Sequence, residues 1–290
     1  MPELPEVEGV VRDLKPLVEG KTIAHVQLSD VIYTSIEAGK QCIVKNSTPD
    51  LFEQQLEGMT ITQVVRRSKY IFFTIEKDGE SFVLVNHLGM TGAWFIVRSL
   101  MEIAEEKFRK HVHATFTLTN GELLVYADIR RFGELRFVKQ IADHPPLLKM
   151  APEPFDEDAC TFFLAQCEKP KYAKKAIKEV IMDGQVISGC GNIYATEALF
   201  ARRIHPARQT MTISEAATIA LFEAIVAVLQ ESIESGGSTI SDYRSVNGGA
   251  GEMQHRLKMY GKKHCTVCDA PTEQLTIGGR TSTYCPNCQK

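Results

Sequence analysis

The stretch CTVCDAPTEQLTIGGRTSTYCPNC, residues 265–288, holds two Cys-x-x-Cys pairs near the end of a 290-residue chain. Pairs at this separation can place four thiolates around one tetrahedral Zn²⁺ ion, with the residues between them folded as a β-hairpin. Four cysteine ligands leave no position for a reacting water, and so short a segment needs the metal to fold. We therefore predict one structural zinc ion in a zinc ribbon, with four ligands: Cys265, Cys268, Cys285 and Cys288.

Charge is distributed unevenly along the chain. The formal net charge is -3, which by itself argues against a polyanionic partner. Residues 256–290, however, carry six basic and two acidic side chains, whereas residues 1–60 carry five basic and ten acidic ones. A one-sided binder requires such segregation, so the basic region around the ribbon is predicted to contact DNA. The alternative is a solvated basic face without a partner.

The first half of the sequence predicts one helix followed by a β-sandwich. Apolar residues recur with helical spacing from Val7 to Leu17. Eight β-rich runs lie between residues 22 and 139, with hairpin signals at Asp78-Gly79 and Asn120-Gly121. Many short strands at this spacing are typical of a β-sandwich.

The second half is predicted to be helical. Its clearest helix runs from Thr212 to Ser235, with Thr212 and Glu215 as a capping box at its start. Residues 238–253 contain a Gly-rich run without periodicity, which predicts a long loop. Loops of this length often form lids over functional sites.

These patterns together predict an α+β protein with an N-terminal β-sandwich flanked by helices, a helical domain and a zinc-ribbon β-hairpin. The predicted divisions are an N-terminal domain (1–140), a proline-rich linker (141–154), a helical domain (155–260) and a zinc finger (261–290). No run approaches the roughly 18 to 20 consecutive apolar residues of a membrane span, and the opening MPELPEVEGV lacks the basic lead of a signal peptide. We therefore expect a cytoplasmic protein with no membrane partner.

Six separated motifs are together similar to one known family. They are MPELPEVE (1–8), RRSKY (66–70), HLGMTG (87–92), DIRRFG (128–133), GCGNIYATE (189–197) and TYCPNCQK (283–290). In this order they resemble the bacterial formamidopyrimidine-DNA glycosylases, and the match spans nearly the whole chain. The resemblance implies a monomeric base-excision-repair enzyme that removes oxidised purines from double-stranded DNA and cleaves the strand as an AP lyase. It also implies a helix-two-turn-helix motif in the helical domain.

The resemblance assigns the chemistry to Pro2, Glu3 and Lys69. Once Met1 is removed, Pro2 presents a secondary amine that is partly neutral near pH 7, since the α-amino reference pKa is about 8. Its attack on a sugar C1′ gives a cationic iminium, and it needs less activation than a lysine. Glu3 is the implied proton donor to the sugar ring oxygen, and Lys69 the implied lysine near the lesion and its phosphates. From the Met-Pro dipeptide alone, a helix-entry proline without chemistry would be favoured.

The resemblance also implies how the duplex is held while a base is everted. Met90, Arg130 and Phe132 match the side chains that fill the gap left by the everted base, the arginine bonding the orphaned cytosine. Phosphate contacts are implied for Asn192 and Tyr194 at the start of a helix, and for Arg280 in the ribbon. The base itself is expected to be read within residues 238–253.

Two alternatives remain open. The first is the endonuclease VIII branch of the same scaffold, which removes oxidised pyrimidines; Leu4 and Arg130 favour the purine branch. The second is a non-catalytic zinc-ribbon protein that binds damaged DNA, against which Pro2, Glu3 and Lys69 count. An enzyme leaves a cleaved strand, whereas a binding protein leaves retarded but intact DNA.

Overall fold

The computed structural model describes residues 2–40, 42–239, 246–248 and 251–290. The chain forms two compact units. The sandwich unit comprises Met1–Leu148 and Gly236–Glu252, and the helical unit comprises Lys149–Ser235 and Met253–Lys290. Part of the predicted loop 238–253 lies outside the described residues.

The sandwich unit contains four helices and nine strands among the described residues. The helices are α1 (Leu4–Val18), α2 (Asp30–Glu37), α3 (Pro49–Leu56) and α4 (Glu106–Arg109). The strands are β1 (Ile23–Leu28), β2 (Val44–Lys45), β3 (Thr60–Arg67), β4 (Tyr70–Lys77), β5 (Glu80–His87), β6 (Gly92–Val97), β7 (Val112–Leu118), β8 (Leu123–Asp128) and β9 (Glu134–Val138). Apart from β2, which no predicted run covers, these bounds lie within about two residues of the eight β-rich runs in the sequence.

Two sheets pack together and confirm the predicted sandwich. One has the strand order β1-β7-β8-β6, and the other has the order β2-β9-β5-β4-β3. Trp94 of the first sheet packs against Phe73 of the second, with ring centroids 5.3 Å apart. The indole N–H of this buried tryptophan donates to Asn86 Oδ1 at 2.9 Å, so the polar group is not left unsatisfied.

Local sequence explains where helices and hairpins begin and turn. Helix α1 buries its apolar stripe in the sandwich core, as the spacing predicts. Asp78 and Gly79 both have positive φ, 54° and 78°, which is the two-residue turn that joins β4 to β5. The β7–β8 connection turns through Gly121, whose φ is 83°. Both predicted hairpins are therefore present.

The helical unit contains α5 (Ala159–Cys167), α6 (Pro170–Ala173), α7 (Ile177–Ile181), α8 (Asn192–Ala201) and α9 (Glu215–Glu234), followed by the hairpin of β10 (Glu273–Ile277) and β11 (Arg280–Tyr284). The helical part and the C-terminal hairpin agree with the predicted α+β class. The capping box predicted at Thr212 is wrong: Thr212 lies in a short 3₁₀ turn, and Ser214 caps α9 by accepting from the Ala217 N–H. Because Ile213 is extended, the helix starts after it.

Helix α9 is apolar enough to raise the question of a membrane. Among the described residues it is the one helix that could cross a bilayer by length and composition, with a mean hydropathy of 1.6. A core helix of a soluble protein passes the same test. One face of α9 packs within the helical unit, where its Phe222 ring lies 5.4 Å from that of Phe163. Tyr194 of α8 and Ser232 of α9 are also joined by a 2.6 Å hydrogen bond between their hydroxyls.

Candidate catalytic and DNA-binding site

The N-terminus of α1 carries the predicted catalytic pair. Pro2 is buried, and the Glu3 side chain is only 3% exposed. Glu3 is the N-cap of the helix, with extended backbone angles. The nucleophile and the acid that the sequence predicts are therefore adjacent on a fixed helix start rather than on a free tail.

Glu6 holds this helix start in place. Its Oε2 accepts a 2.8 Å hydrogen bond from the Glu3 N–H, which belongs to the Pro2–Glu3 peptide. Its Oε1 accepts a 2.7 Å bond from the Ser238 N–H, at the beginning of the predicted base-reading loop. A Cβ atom on Gly237, whose φ is 81°, would lie 3.3 Å from Glu6. In the sequence Glu6 is only an acid in the first turn of a helix, where carboxylates are favoured, and the Gly236-Gly237 pair is the one signal of a close approach.

Lys69 lies in the tight turn between β3 and β4. Arg67 pairs with Tyr70, so Ser68 and Lys69 form a two-residue turn in which Ser68 has a φ of 55°. Arg66, at the end of the preceding strand, is a structural residue that holds this turn. Its guanidinium donates to Glu8 Oε2 at 2.8 Å and to the Ser68 carbonyl at 3.1 Å.

His87 lies opposite Tyr70, next to the turn that carries Lys69, and sequence patterns alone assign it no role. Its ring packs against that of Tyr70 at 4.8 Å, and its Nδ1 accepts a 3.1 Å bond from the Gly89 N–H. An accepting Nδ1 requires the neutral ring with the proton on Nε2. Burial, and then the charge of Lys69, lowers the pKa of His87 to about 4. The imidazole is therefore uncharged at neutral pH.

This low pKa predicts a pH-dependent loss of stability. The unfolded chain takes up a proton at residue 87 below pH 6.5, whereas the folded chain does so only near pH 4. Stability from the neutral ring is thus complete above pH 6.5 and is lost as the pH falls toward 4. Wild type should lose up to about 3 kcal/mol relative to His87→Asn over this range, since Asn keeps an acceptor for Gly89.

Urea unfolding at several pH values, followed by the fluorescence of Trp94, measures this difference. Trp94 is the single tryptophan and lies in the core of the sandwich unit, so its emission reports that unit. The exposed His255→Asn change is the matched control and should leave the pH dependence of wild type unaltered. Parallel curves for wild type and His87→Asn would contradict the assignment of the shift to His87.

The three predicted gap-filling residues lie on two turns that touch each other. Met90 lies on the β5–β6 turn, and Arg130 and Phe132 lie on the β8–β9 turn. A Cβ atom on Gly89 would lie 2.4 Å from the carbonyl carbon of Phe132, so only glycine permits this approach. Phe132 is 59% exposed, and the Arg130 guanidinium lies 5.0 Å from the centre of its ring. An exposed apolar ring beside a cation suits contact with DNA bases.

The start of α8 in the helical unit is tied to the C-terminal hairpin. Asn192 is the first residue of the helix, and its side-chain amide donates to the Thr281 carbonyl at 3.0 Å. Tyr194 is fully buried with its hydroxyl on Ser232, so its ring stabilises the α8–α9 packing. Any phosphate contact at this residue would have to come from its backbone amide. Arg280 is exposed at the start of β11.

Two charged side chains of this unit turn inward instead of toward solvent. Lys178, from the basic run 169–178, is 1% exposed and donates to the Asn192 carbonyl at 3.1 Å and to Thr196. Glu197 accepts three backbone bonds, from Lys258 at 2.7 Å, Met259 at 2.9 Å and Tyr260 at 2.7 Å. Glu197 is therefore a structural acid, and it fixes the segment leading into the ribbon.

The four predicted metal ligands form one cluster. Their sulfur atoms all lie within 4.8 Å of one another. The Sγ atoms of Cys265 and Cys288 are 3.8 Å apart, and those of Cys268 and Cys285 are 3.5 Å apart. Ligands about 2.3 Å from a tetrahedral zinc ion lie about 3.8 Å from each other, so these thiols fit a single metal ion.

The electrostatics of the cluster favour at least one thiolate. Burial acts to raise the pKa of Cys265, but hydrogen bonds from the amides of Cys268 and Val267 and from neighbouring thiols lower it to about 7. Thiolates are the form that binds metal. The cluster can therefore hold a metal ion, and with four sulfur ligands that ion would be structural.

The fold and the site together define a class of protein. A β-sandwich that begins with a buried Pro-Glu pair, two touching turns that carry an exposed aromatic ring beside a cation, and a helical unit with a four-cysteine hairpin are the features of a DNA glycosylase that acts on damaged bases. The chain matches the formamidopyrimidine-DNA glycosylase N-terminal domain over residues 1–135 and the H2TH domain of the same enzymes over residues 150–244. The chain belongs to the formamidopyrimidine-DNA glycosylase family, whose members are bifunctional glycosylases and AP lyases.

Relatives of known name support this assignment over the full chain. A formamidopyrimidine-DNA glycosylase of Shouchella clausii is 39% identical and covers 100% of this chain and 99% of its own. A point mutant of the Lactococcus lactis Fpg, solved with DNA containing Fapy-dG, is 32% identical over 100% of both chains, with a TM-score of 0.85. Wild-type Lactococcus lactis Fpg, solved with DNA containing an oxidized pyrimidine, is 31% identical over 100% of both chains, with a TM-score of 0.83.

Proposed function

We propose that this chain excises oxidised purines, 8-oxoguanine and formamidopyrimidines, from duplex DNA and then cleaves the strand by β,δ-elimination. The observation that carries the proposal is the buried pair of Pro2 and Glu3 at the start of α1, whose connecting peptide is bonded to Glu6. Holding a nucleophile and an acid in fixed geometry lowers the entropy cost of reaction.

The chemistry follows from a secondary amine. With Met1 removed, the Pro2 nitrogen bonds to C1′ while the bond from C1′ to the base breaks, and the base leaves with the electron pair. The nitrogen then loses its proton, and its lone pair expels the ring oxygen O4′, which takes a proton from Glu3. Because the nitrogen has no second hydrogen, the product is a cationic iminium. Loss of the C2′ proton then drives elimination of the 3′ phosphate, and a second elimination releases the 5′ phosphate.

The remaining side chains serve binding in this proposal. Met90 and Phe132 enter the gap left by the everted base, and Arg130 bonds the orphaned cytosine. Lys69 approaches the phosphates of the lesion, and Asn192, the start of α8 at Tyr194 and Arg280 hold the strand. One structural zinc ion occupies the cluster of Cys265, Cys268, Cys285 and Cys288.

We further propose that the enzyme acts as a cytoplasmic monomer. Its functional organisation is a catalytic domain (1–140), a linker (141–154), a helix-two-turn-helix domain (155–260) and a zinc finger (261–290). The family's activity on DNA and the bacterial source of its relatives support the cytoplasmic location.

Borohydride trapping tests this function. Borohydride reduces the iminium to a stable amine, so wild-type protein should become crosslinked to a duplex that carries one 8-oxoguanine opposite cytosine. Peptide mapping should place the crosslink on Pro2 of a chain without Met1. The same duplex with ordinary guanine is the control and should give no crosslink.

The two alternatives give different results in this experiment. Trapping only on duplexes with an oxidised pyrimidine would assign the chain to the endonuclease VIII type of specificity. One solved relative was crystallised with DNA that contains an oxidized pyrimidine. A retarded duplex without any crosslink on either lesion would mean a binding protein without catalysis.

A further inference from the structure

One carboxylate in the sandwich unit holds both ends of the β8–β9 turn. Asp128, fully buried at the end of β8, accepts from the Gly133 N–H at 2.7 Å through Oδ2. Its Oδ1 accepts from the Arg130 N–H at 3.2 Å. The backbone that presents Arg130, Arg131 and Phe132 is therefore closed around a single side chain.

The same carboxylate reaches the β5–β6 turn through Thr91. The Thr91 hydroxyl, on a residue 3% exposed, donates to Asp128 Oδ1 at 2.5 Å. Its oxygen in turn accepts from the Arg130 N–H at 2.9 Å. Since Thr91 directly follows Met90, one buried hydroxyl links the two turns that carry the gap-filling side chains.

Steric contacts also hold the β5–β6 and β8–β9 turns together. Beyond the Gly89 contact described above, a Cβ atom on Gly133 would lie 2.0 Å from the Tyr126 hydroxyl and 2.8 Å from Asp128 Oδ2. Arg131 has a φ of 57°, a conformation uncommon for a residue other than glycine. Such a backbone persists only where surrounding contacts impose it, and the Asp128 bonds on both sides supply those contacts.

We propose that Asp128 and Thr91 are positioning residues that lock Met90, Arg130 and Phe132 into one preformed wedge, and so set the enzyme's preference for the base opposite the lesion. The inference rests on the proposed function, because it assigns the wedge to the gap left by an everted base. A side chain that must select cytosine needs a fixed backbone, since a loose one would also accommodate adenine. Neither Asp128 nor Thr91 reacts with substrate.

The decisive variant is Thr91→Val, which removes the hydroxyl with little change in volume. We measure single-turnover excision from 8-oxoguanine opposite cytosine and opposite adenine, and take the ratio of the two rates. Loss of the link should reduce the ratio by about fivefold, the factor expected for one net hydrogen bond. Thr91→Ser restores the hydroxyl and should restore the ratio. Asp128→Asn, which keeps one acceptor oxygen of two, should lower the ratio at least as far as Thr91→Val.

Two controls separate positioning from damage to the fold. Trapping on a single-stranded abasic oligonucleotide needs Pro2 but no gap filling, so its rate should be unchanged in Thr91→Val. Thr22→Val removes a different hydroxyl bond of the sandwich unit, 2.8 Å to Thr60, and should keep the wild-type ratio.

The outcomes also separate this inference from the proposed function. If wild type traps on 8-oxoguanine but Thr91→Val keeps the opposite-base ratio, the wedge proposal is wrong while the function stands. Equal loss of single-stranded trapping and of duplex excision would likewise overturn it, because the residue would then be merely structural. If wild type itself gives no crosslink, the proposed function fails first.

Discussion

Pro2→Gly is expected to lower strand cleavage by about a thousandfold or more while DNA binding stays within about twofold, because the change alters the attacking amine and no phosphate contact. Glycine offers a primary amine without the ring that fixes the nitrogen at the start of α1. The measurement is single-turnover cleavage of an 8-oxoguanine duplex, with binding followed by gel retardation.

Pro5→Ala is the matched control for this variant. Pro5 is a second buried proline in the first turn of the same helix, and its nitrogen is part of the chain interior. Its replacement should leave cleavage within a few fold of wild type, since it removes no reacting group. Mass spectrometry must show that Met1 is absent from every protein compared. Cleavage by Pro2→Gly at the wild-type rate would rule out the N-terminal amine as nucleophile.

Loss of a metal ligand is expected to have the second large effect. Cys268→Ser should abolish stoichiometric zinc and weaken DNA binding at least about tenfold, because the hairpin has no core of its own to hold β10 and β11 without the ion. Zinc content by atomic emission and affinity by titration of labelled duplex measure the two effects. The Trp94 emission of the sandwich unit should stay as in wild type.

Cys160→Ser provides the thiol control. Cys160 lies on α5 and is not one of the four clustered cysteines, so its replacement should change neither zinc content nor affinity. Full zinc occupancy and unaltered affinity in Cys268→Ser would mean that the four sulfurs do not form a metal site.

The sequence predicted best those structural features that depend on residues close together in the chain. Strand bounds follow from alternation, the turn at Asp78-Gly79 from its two residues, and the four-cysteine cluster from ligand spacing. Met90 and Phe132 could be assigned to turns because glycines flank them. In each case a local pattern carries enough information to fix a local structure.

Local patterns could not predict contacts between residues that are far apart in the sequence. The bond from Ser238 to Glu6 spans 232 positions of sequence, and only the neighbouring Gly236-Gly237 pair indicates a close approach there. Lys178 and Tyr194 are residue types that often contact DNA at a protein surface. In the folded chain, however, both side chains are buried. Thr212 fits a capping pattern that Ser214 fulfils instead, because both residues carry a hydroxyl and the extended backbone of Ile213 between them places the helix start at Ser214.

The division of the chain into units has a consequence for how the protein is made. Val246 belongs to the hydrophobic core of the sandwich unit, although nearly ninety residues of the helical unit precede it in the sequence. A ribosome adds about 5 to 20 residues per second, so a nascent sandwich waits several seconds for the segment that completes its core. A recombinant fragment ending at residue 148 would lack that segment altogether. We therefore expect the isolated first half to be less stable than the same strands within the intact polypeptide.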